Sequence, residues 1–393
     1  MNEHPALPVQ MKGVRGEGAT KWRVVHPDIM KLGVRSFCFS LLIIPTIRVA
    51  VLKDIPQVTI QGDKLWAKTQ SQEFPEEIES PAKIQSTPHG FKIGNILYQD
   101  STLQIGSEEE VLQVGEKKFK GELEIQRTAR NKLLILNQLP MEDYLVGLVH
   151  GEIAASWPIE AIKAQVVAAR TYAMRQQKEQ SPGKQNYDLE SNTDDQVYIG
   201  SLGKTEDRIV EQAVKATEGE ILWHSGFYPV YFHSCCGGET ETVERVWGKK
   251  EISSSIVDKF CEQCPYSSWE LHLSARELLD LLKSHGLEGR RIKSIAAEKY
   301  ETSPRNAIII IETDQMSLFL GATEFRRIVG YKDLKSTWFD VQVTPREIIF
   351  KGKGFGHGVG LCQWGAKEMA QAGKNYKEIL EFYYPRAVLH KVY

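Results

Sequence analysis

The hydrophobic period changes at residue 140, and that change limits the fold more than any other feature. Before it, short apolar runs (Ile47–Leu52, Val58–Ile60, Ile96–Tyr98, Leu123–Ile125, Leu133–Leu136) alternate with clusters of Gly, Asp, Ser and Lys, the pattern of strands and turns. The polar stretch Gln70–Pro88, rich in Glu and Pro, reads as a loop. From Pro140 the period becomes helical. Pro140–Val149 has Pro at its start and acids in its first turn. Pro158–Gln177 repeats Ile162, Val166, Ala169 and Ala173 on one face. Its small residues Ala161, Ala164 and Ala168 let a neighbour approach closely. Further helices are predicted at 206–218, at 274–285 (Ser274 and Glu277 forming a capping box), around Thr323–Ile328 and at Tyr376–Tyr383. Strands are predicted at Glu220–Trp223, at Tyr228–Phe232 and through 291–350. Strands, then helices, then strands predict an α+β fold rather than a doubly wound sheet. A β-rich region spans 47–135, and a mixed helix and strand domain spans 136–393, with a β-rich insertion around 270–350.

The N-terminus is ambiguous. Residues 1–34 carry no periodicity and read as a disordered tail. Lys31 and Arg35 precede an apolar run, Ser36–Pro45, so 35–46 is a candidate signal or anchor segment. The run falls below the ~20 residues that span a bilayer, and a pair of buried strands reads equally well. With 49 Lys and Arg against 51 Asp and Glu, the chain lacks the basic excess that a nucleic-acid binder needs. A neutral polymer remains open as a partner.

Four segments carry chemistry. Gly151-Glu-Ile-Ala-Ala-Ser-Trp-Pro158 sets one carboxylate, Glu152, between two helices beside Ile153, Ala154, Ala155 and Trp157. Apolar surroundings disfavour an ionised carboxylate, which suits a general acid; a surface glutamate in a turn is the plain alternative. Lys163 and Arg170 lie two turns apart on the following helix, placed to bind substrate oxygens, to hold Glu152, or simply to face solvent. Asn192-Thr-Asp-Asp-Gln-Val-Tyr-Ile-Gly200 reads as a polar loop leading into a strand that presents Gln196 and Tyr198, an amide and a phenol that suit sugar hydroxyls, or as an ordinary loop and edge strand. In Gly352–Ala366 glycines recur at every second position up to 360, implying close backbone approach, and His357, Gln363 and Trp364 stand out on it. A phosphate loop is excluded there, because no Gly-Lys-Ser/Thr ending follows.

Five of the six cysteines fall late in the chain: Cys235 and Cys236 in His233-Ser-Cys-Cys-Gly-Gly238, then Cys261, Cys264 and Cys362. The C-x-x-C after an adjacent pair has the spacing of a structural zinc site. His233 or Cys362 could replace one of the first pair. Disulfides compete if the chain is exported, and reduced bystander thiols are the third reading.

Taken in order, these segments resemble the sporulation stage II protein D (SpoIID/LytB) family from about Gly115 to the C-terminus. The carriers are Leu139–Leu145, Gly151–Pro158, Glu160–Ala173, Asp195–Tyr198, His233–Gly238, Phe325–Gly330 and Gly354–Ala366. The resemblance implies a lytic transglycosylase acting on denuded peptidoglycan glycan strands, with Glu152 as the catalytic acid and Lys163 and Arg170 at positions the family relies on. For such a reaction, substrate contacts are expected from Gln196, Tyr198, Ser234, His357 and Gln363. The resemblance also strengthens the zinc reading, with Cys362 as a serious ligand. It places the protein in the periplasm or on the outer face of the cytoplasmic membrane, downstream of a cell-wall amidase. Some relatives enhance wall amidases instead, and a non-catalytic enhancer is therefore the alternative.

Overall fold

The computed structural model describes residues 45–179, 186–191, 196, 198–200 and 205–393. The predicted tail, nearly all of the candidate signal segment and Asn192–Asp195 lie outside them.

Two antiparallel sheets form the β-rich region. A seven-stranded sheet runs in the order Leu189–Glu190, Thr46–Ile55, Leu133–Pro140, Glu122–Arg127, Thr102–Gly106, Trp66–Thr69, Glu76–Glu77, with only the first pair parallel. A six-stranded sheet runs Lys117–Lys120, Val111–Val114, Gln57–Gln61, Ala82–Thr87, Gly90–Ile93, Ile96–Tyr98. Alternate side chains point inward, as the pleat requires: Leu103 and Ile105, Leu123 and Ile125, Leu133 and Ile135 from one sheet, Val58 and Ile60 from the other. Gln70–Pro88 is therefore not all loop. Ala82 and Ile84 lie two residues apart and both are buried, which makes a strand of a segment whose composition reads as polar.

Eight helices are described: α1 (Met141–Glu152), α2 (Ile159–Glu179), α3 (Thr205–Ala216), α4 (Val243–Trp247), α5 (Ala275–Lys283), α6 (Ala322–Val329), α7 (Gln363–Gln371) and α8 (Tyr376–Tyr383). The predicted capping box is present at α5: Ser274 Oγ accepts from Glu277 N–H, and Glu277 accepts from Ser274 N–H. α2 is the hub. Ile162, Val166, Ala169 and Ala173 join the core made with α1, α3 and the sheets. Ala164, Val167 and Ala168 join a second core with α7, α8 and the cysteines. A third core lies beneath α5, α6 and two three-stranded sheets within 269–352. Instead of the predicted strand at Tyr228–Phe232, only Phe232–His233 pairs, parallel to Leu361–Cys362. No helix among the described residues is long and apolar enough to cross a membrane.

Candidate active site

Glu152 is the last residue of α1 rather than a loop residue; Ile153 N–H still reaches Val149 C=O at 2.9 Å. One turn follows, closed by Trp157 N–H on Ala154 C=O, and Pro158 leads into α2. The Glu152 side chain is half-buried, and its Oε2 accepts a hydrogen bond from Gln363 Nε2 at 3.4 Å. Gln363 opens α7 and is 6 % exposed. Its neighbour Trp364 meets Trp157 edge-on, ring centroids 5.2 Å apart. The Lys367 ammonium lies 4.2 Å from the Trp364 centroid and 5.7 Å from that of Trp157. A carboxyl, an amide donor, two half-buried indoles and a cation thus share one corner, drawn from segments 211 residues apart.

The glycine tract sets that corner. Gly360 has φ +70°, and a Cβ there would lie 2.1 Å from the Tyr231 carbonyl oxygen. Only glycine fits both the left-handed backbone and the approach. The chain then pairs Leu361–Cys362 with Phe232–His233 and hands Trp364 N–H to Ser234 C=O at 3.1 Å. Ser234, half-buried, meets the site through this backbone contact.

Several other expected site residues have partners elsewhere within the chain. Arg170 is fully buried and forks onto Glu142 (Nε–Oε1 2.9 Å, Nη2–Oε2 2.6 Å), with Glu220 C=O as a further acceptor. Glu142 begins α1 and Glu152 ends it, about 15 Å apart at ~1.5 Å rise per residue. Arg170 therefore positions α1 rather than touching the carboxyl at its end. Gln196 and Tyr198, each 2 % exposed, are interior groups: Gln196 Oε1 accepts from Tyr144 Oη at 2.7 Å, and Tyr198 Oη donates to Asn137 Oδ1 at 2.8 Å. Burial pushes the Tyr198 phenol well up. Neither presents a polar group to a ligand. Lys163 pairs with Glu160 at 2.6 Å beneath the Tyr376 ring, and Glu160 also accepts Tyr376 N–H.

His357 packs among Trp247, His233 and Tyr231. Its Nδ1 accepts Val359 N–H at 3.0 Å. Desolvation, then the charges of Arg326 and Arg305, hold its imidazole down to about 3, so the ring is neutral. His233 is neutral for the same first reason, burial. Its Nδ1–H donates to Val359 C=O.

Five cysteines gather in one buried knot. Cys235 and Cys264 are paired as a disulfide. Cys261 Sγ lies 3.3 Å from Cys235 Sγ and 3.4 Å from Cys362 Sγ, and the Cys236 thiol donates to Asp258 Oδ2 at 3.3 Å. The neighbouring Cys236 and Cys362 sulfurs pull the Cys261 thiol down. The same neighbourhood pushes Cys236 up, first through Cys261, and Cys362 is pushed up first by burial. Two close-set groups have metal-ligand chemistry: Cys236, Asp258, Cys261 and Cys362, and Cys235, Cys261 and Cys264. His233 belongs to neither. Asp258 escaped the sequence reading. The available signal was its position three residues before the C-x-x-C, where it caps the short helix Lys259–Gln263 by accepting Phe260 N–H.

Residues 129–224 match the family described as Stage II sporulation protein (SpoIID), and residues 243–360 match a domain of unknown function, DUF8618. The chain is 36 % identical over 253 residues to an uncharacterized protein of Brachyspira hyodysenteriae, covering 64 % of this chain and 67 % of that protein. It is 31 % identical over 301 residues to the amidase enhancer of Bacillus subtilis, covering 62 % of this chain but only 40 % of that protein. To the stage II sporulation protein D of the same organism it is 28 % identical over 276 residues, covering 66 % and 76 %.

Proposed function

The chain belongs to the stage II sporulation protein D (SpoIID) family, and from that premise we propose that it is a peptidoglycan lytic transglycosylase. A cell-wall role comes with the membership; the reaction is our reading. The observation that carries it is the Glu152–Gln363 contact flanked by Trp157 and Trp364.

Glu152 protonates the oxygen joining MurNAc C1 to GlcNAc, and that bond breaks. The C6 hydroxyl of the same MurNAc attacks C1 and closes a 1,6-anhydro ring. The Glu152 carboxylate takes the hydroxyl proton and is restored as the acid, so no water is consumed. The nucleophile is intramolecular, which supplies a high effective concentration. A hydrolase would need a second carboxylate. The negative end of α1 favours the neutral acid before the cut. The Gln363 amide donates to the carboxylate after it. Indole faces suit the apolar face of a pyranose ring. Such a substrate lies outside the cytoplasmic membrane, so this reading includes export.

The test is incubation of purified protein with peptide-free glycan strands and mass analysis of the ends. Wild type releases 1,6-anhydroMurNAc ends, and Glu152→Gln releases none while keeping its melting curve. The similarity to an amidase enhancer favours one second reading, a wall-binding activator. In that case neither protein cuts glycan, and both stimulate a wall amidase.

A further inference from the structure

We propose that a cavity walled by Trp269, Trp338 and Lys353 is a second saccharide subsite, and that it takes the lactyl carboxylate of a MurNAc ring whose peptide has been removed. This rests on the glycan-cleaving reading and goes beyond it, by naming residues that tell a bare strand from a peptide-bearing one. Cutting the amide between lactyl group and peptide leaves a carboxylate on that MurNAc. A bare strand therefore carries a negative charge where a peptide-bearing strand carries a neutral amide.

The cavity measures about 550 Å³ and lies at one end of the sheet formed by Trp269–Leu273, Ile348–Gly352 and Phe339–Val343, a volume within the range of small-ligand sites. Its charges are unevenly spent. Glu270 pairs with Lys351 at 2.9 Å, and Asp340 pairs with Lys299 at 3.0 Å. Lys353 forms no ion pair among the described residues, and its ammonium lies 5.6 Å from the Trp338 ring centroid. The uncompensated charge of the lining is thus a cation beside a half-buried indole. An apolar ligand leaves that cation unused, and a simple anion leaves the indoles unused. An acidic sugar uses both, because an indole face suits a pyranose ring.

Two further observations support a built site. Trp338 and Lys353 are held in place by backbone contacts: Lys353 N–H donates to Trp338 C=O at 2.9 Å, and Ser336 Oγ donates to Lys353 C=O at 2.6 Å. Such preorganisation lowers the entropy lost on binding. Trp269 is 7 % exposed, yet its Nε1 has no hydrogen-bond partner. The indole edge that carries Nε1 packs on Gly352, where a Cβ would lie 2.2 Å from Cζ2 and 2.6 Å from Cε2. Both residues line the cavity, so an unspent donor stands in its wall. Lys353 is also tied to the corner at Glu152. Phe355 pairs with Cys235 through two backbone hydrogen bonds, and Ser234 C=O accepts Trp364 N–H. That route keeps the Cα atoms of Lys353 and Trp364 within about 25 Å, a span that an oligosaccharide of several rings covers.

The experiment is calorimetric titration of the full chain carrying Glu152→Gln, so that no probe is consumed. The probes are a peptide-free GlcNAc–MurNAc oligomer with free lactyl carboxylates and the same oligomer with those groups converted to methyl amides. The corner at Glu152 binds both, so the readout is the ratio of their affinities. The acid form should bind about three- to fivefold more tightly, the most an exposed ion pair gives. Lys353→Met should bring the ratio to one, and Lys353→Glu should invert it. Lys353 is exposed, so these variants keep the wild-type melting curve, whereas Trp338 also packs near the buried Arg305, 5.9 Å from its centroid. Equal affinities in the Glu152→Gln chain, or a preference that Lys353→Glu leaves intact, overturn the subsite. Free stem peptide offers carboxylates without a sugar; if it displaces the oligomer, the cavity reads anions alone and the saccharide assignment falls. If the ranking holds but the chain with Glu152 restored cuts no glycan, the subsite stands and the proposed reaction fails. If glycan is cut and the ranking is absent, only the subsite fails.

Discussion

Replacing Arg170 with Ala separates a positioning role from a chemical one. Arg170 is fully buried and makes two charge-assisted bonds to Glu142, of 2.9 and 2.6 Å, and one to Glu220 C=O at 3.1 Å. Breaking a buried pair by removing one partner costs about 3–5 kcal/mol, chiefly because the other charge is stranded. Glu142 is 17 % exposed at its side chain and keeps the Tyr393 hydroxyl as a donor, so the lower end, about 3 kcal/mol, is expected. Urea unfolding followed by tryptophan fluorescence should show the midpoint falling with the slope unchanged. The ledger also predicts compensation. Arg170→Met combined with Glu142→Leu removes both charges and should recover most of the loss. Turnover on denuded glycan, per folded molecule, should stay within about twofold of wild type, since the pair sits about 15 Å from Glu152 along α1. A variant that keeps its stability within about 0.5 kcal/mol yet loses glycan cleavage would refute this, and would restore Arg170 to the chemistry.

Three further outcomes follow from the geometry. Gln363→Ala should lower kcat about 10- to 100-fold, since a hydrogen bond to a charged group is worth about 1.5–3 kcal/mol; wild-type kcat would show that this bond plays no part. Trp157→Ala and Trp364→Ala should each raise KM about two- to tenfold with little change in kcat, and loss of kcat at constant KM would exclude a sugar platform. His357 is neutral because its folded-state pKa lies near 3, against about 6.5 unfolded. Between those values the unfolded chain binds the extra proton, so the contribution of His357 is complete above pH ~6.5 and falls by about 1.4 kcal/mol per unit on acidification. Urea midpoints of wild type and His357→Gln should therefore converge as the pH drops from 7 to 4.5, and parallel profiles would contradict a neutral His357.

What could be read from residue order was what depends on neighbours in the chain. The two buried faces of α2, the capping box at Ser274 and the apolar turn after Glu152 all follow from local spacing. The clustering of cysteines was legible too, because the C-x-x-C is a local signal. The errors share one cause. Gln196 and Tyr198 look like groups meant for a ligand until Tyr144 and Asn137, more than 50 residues away, are seen to satisfy them. Arg170 looks catalytic until Glu142 is found beneath it. A polar side chain does not announce in sequence whether its partner is a substrate or another part of the same chain, and burial alone decides.

That same accounting of partners bears on the single-carboxylate mechanism. Glu142 is bound by Arg170 and Tyr393, Glu160 by Lys163 and Tyr376, and Asp258 by Tyr383 and Cys236. Each would have to abandon a cation or a buried donor to serve as nucleophile or base. Glu152 ends a helix with its carboxyl half-buried, and a neutral amide donates to it. A neutral donor tolerates both the acid and the carboxylate, whereas a bidentate guanidinium would hold the group ionised. A residue that must give a proton and then take one back is better served by the amide. For this reason Gln363→Lys should be worse for turnover than Gln363→Ala, although it keeps a donor: its ammonium would fix Glu152 as the carboxylate and abolish the first proton transfer.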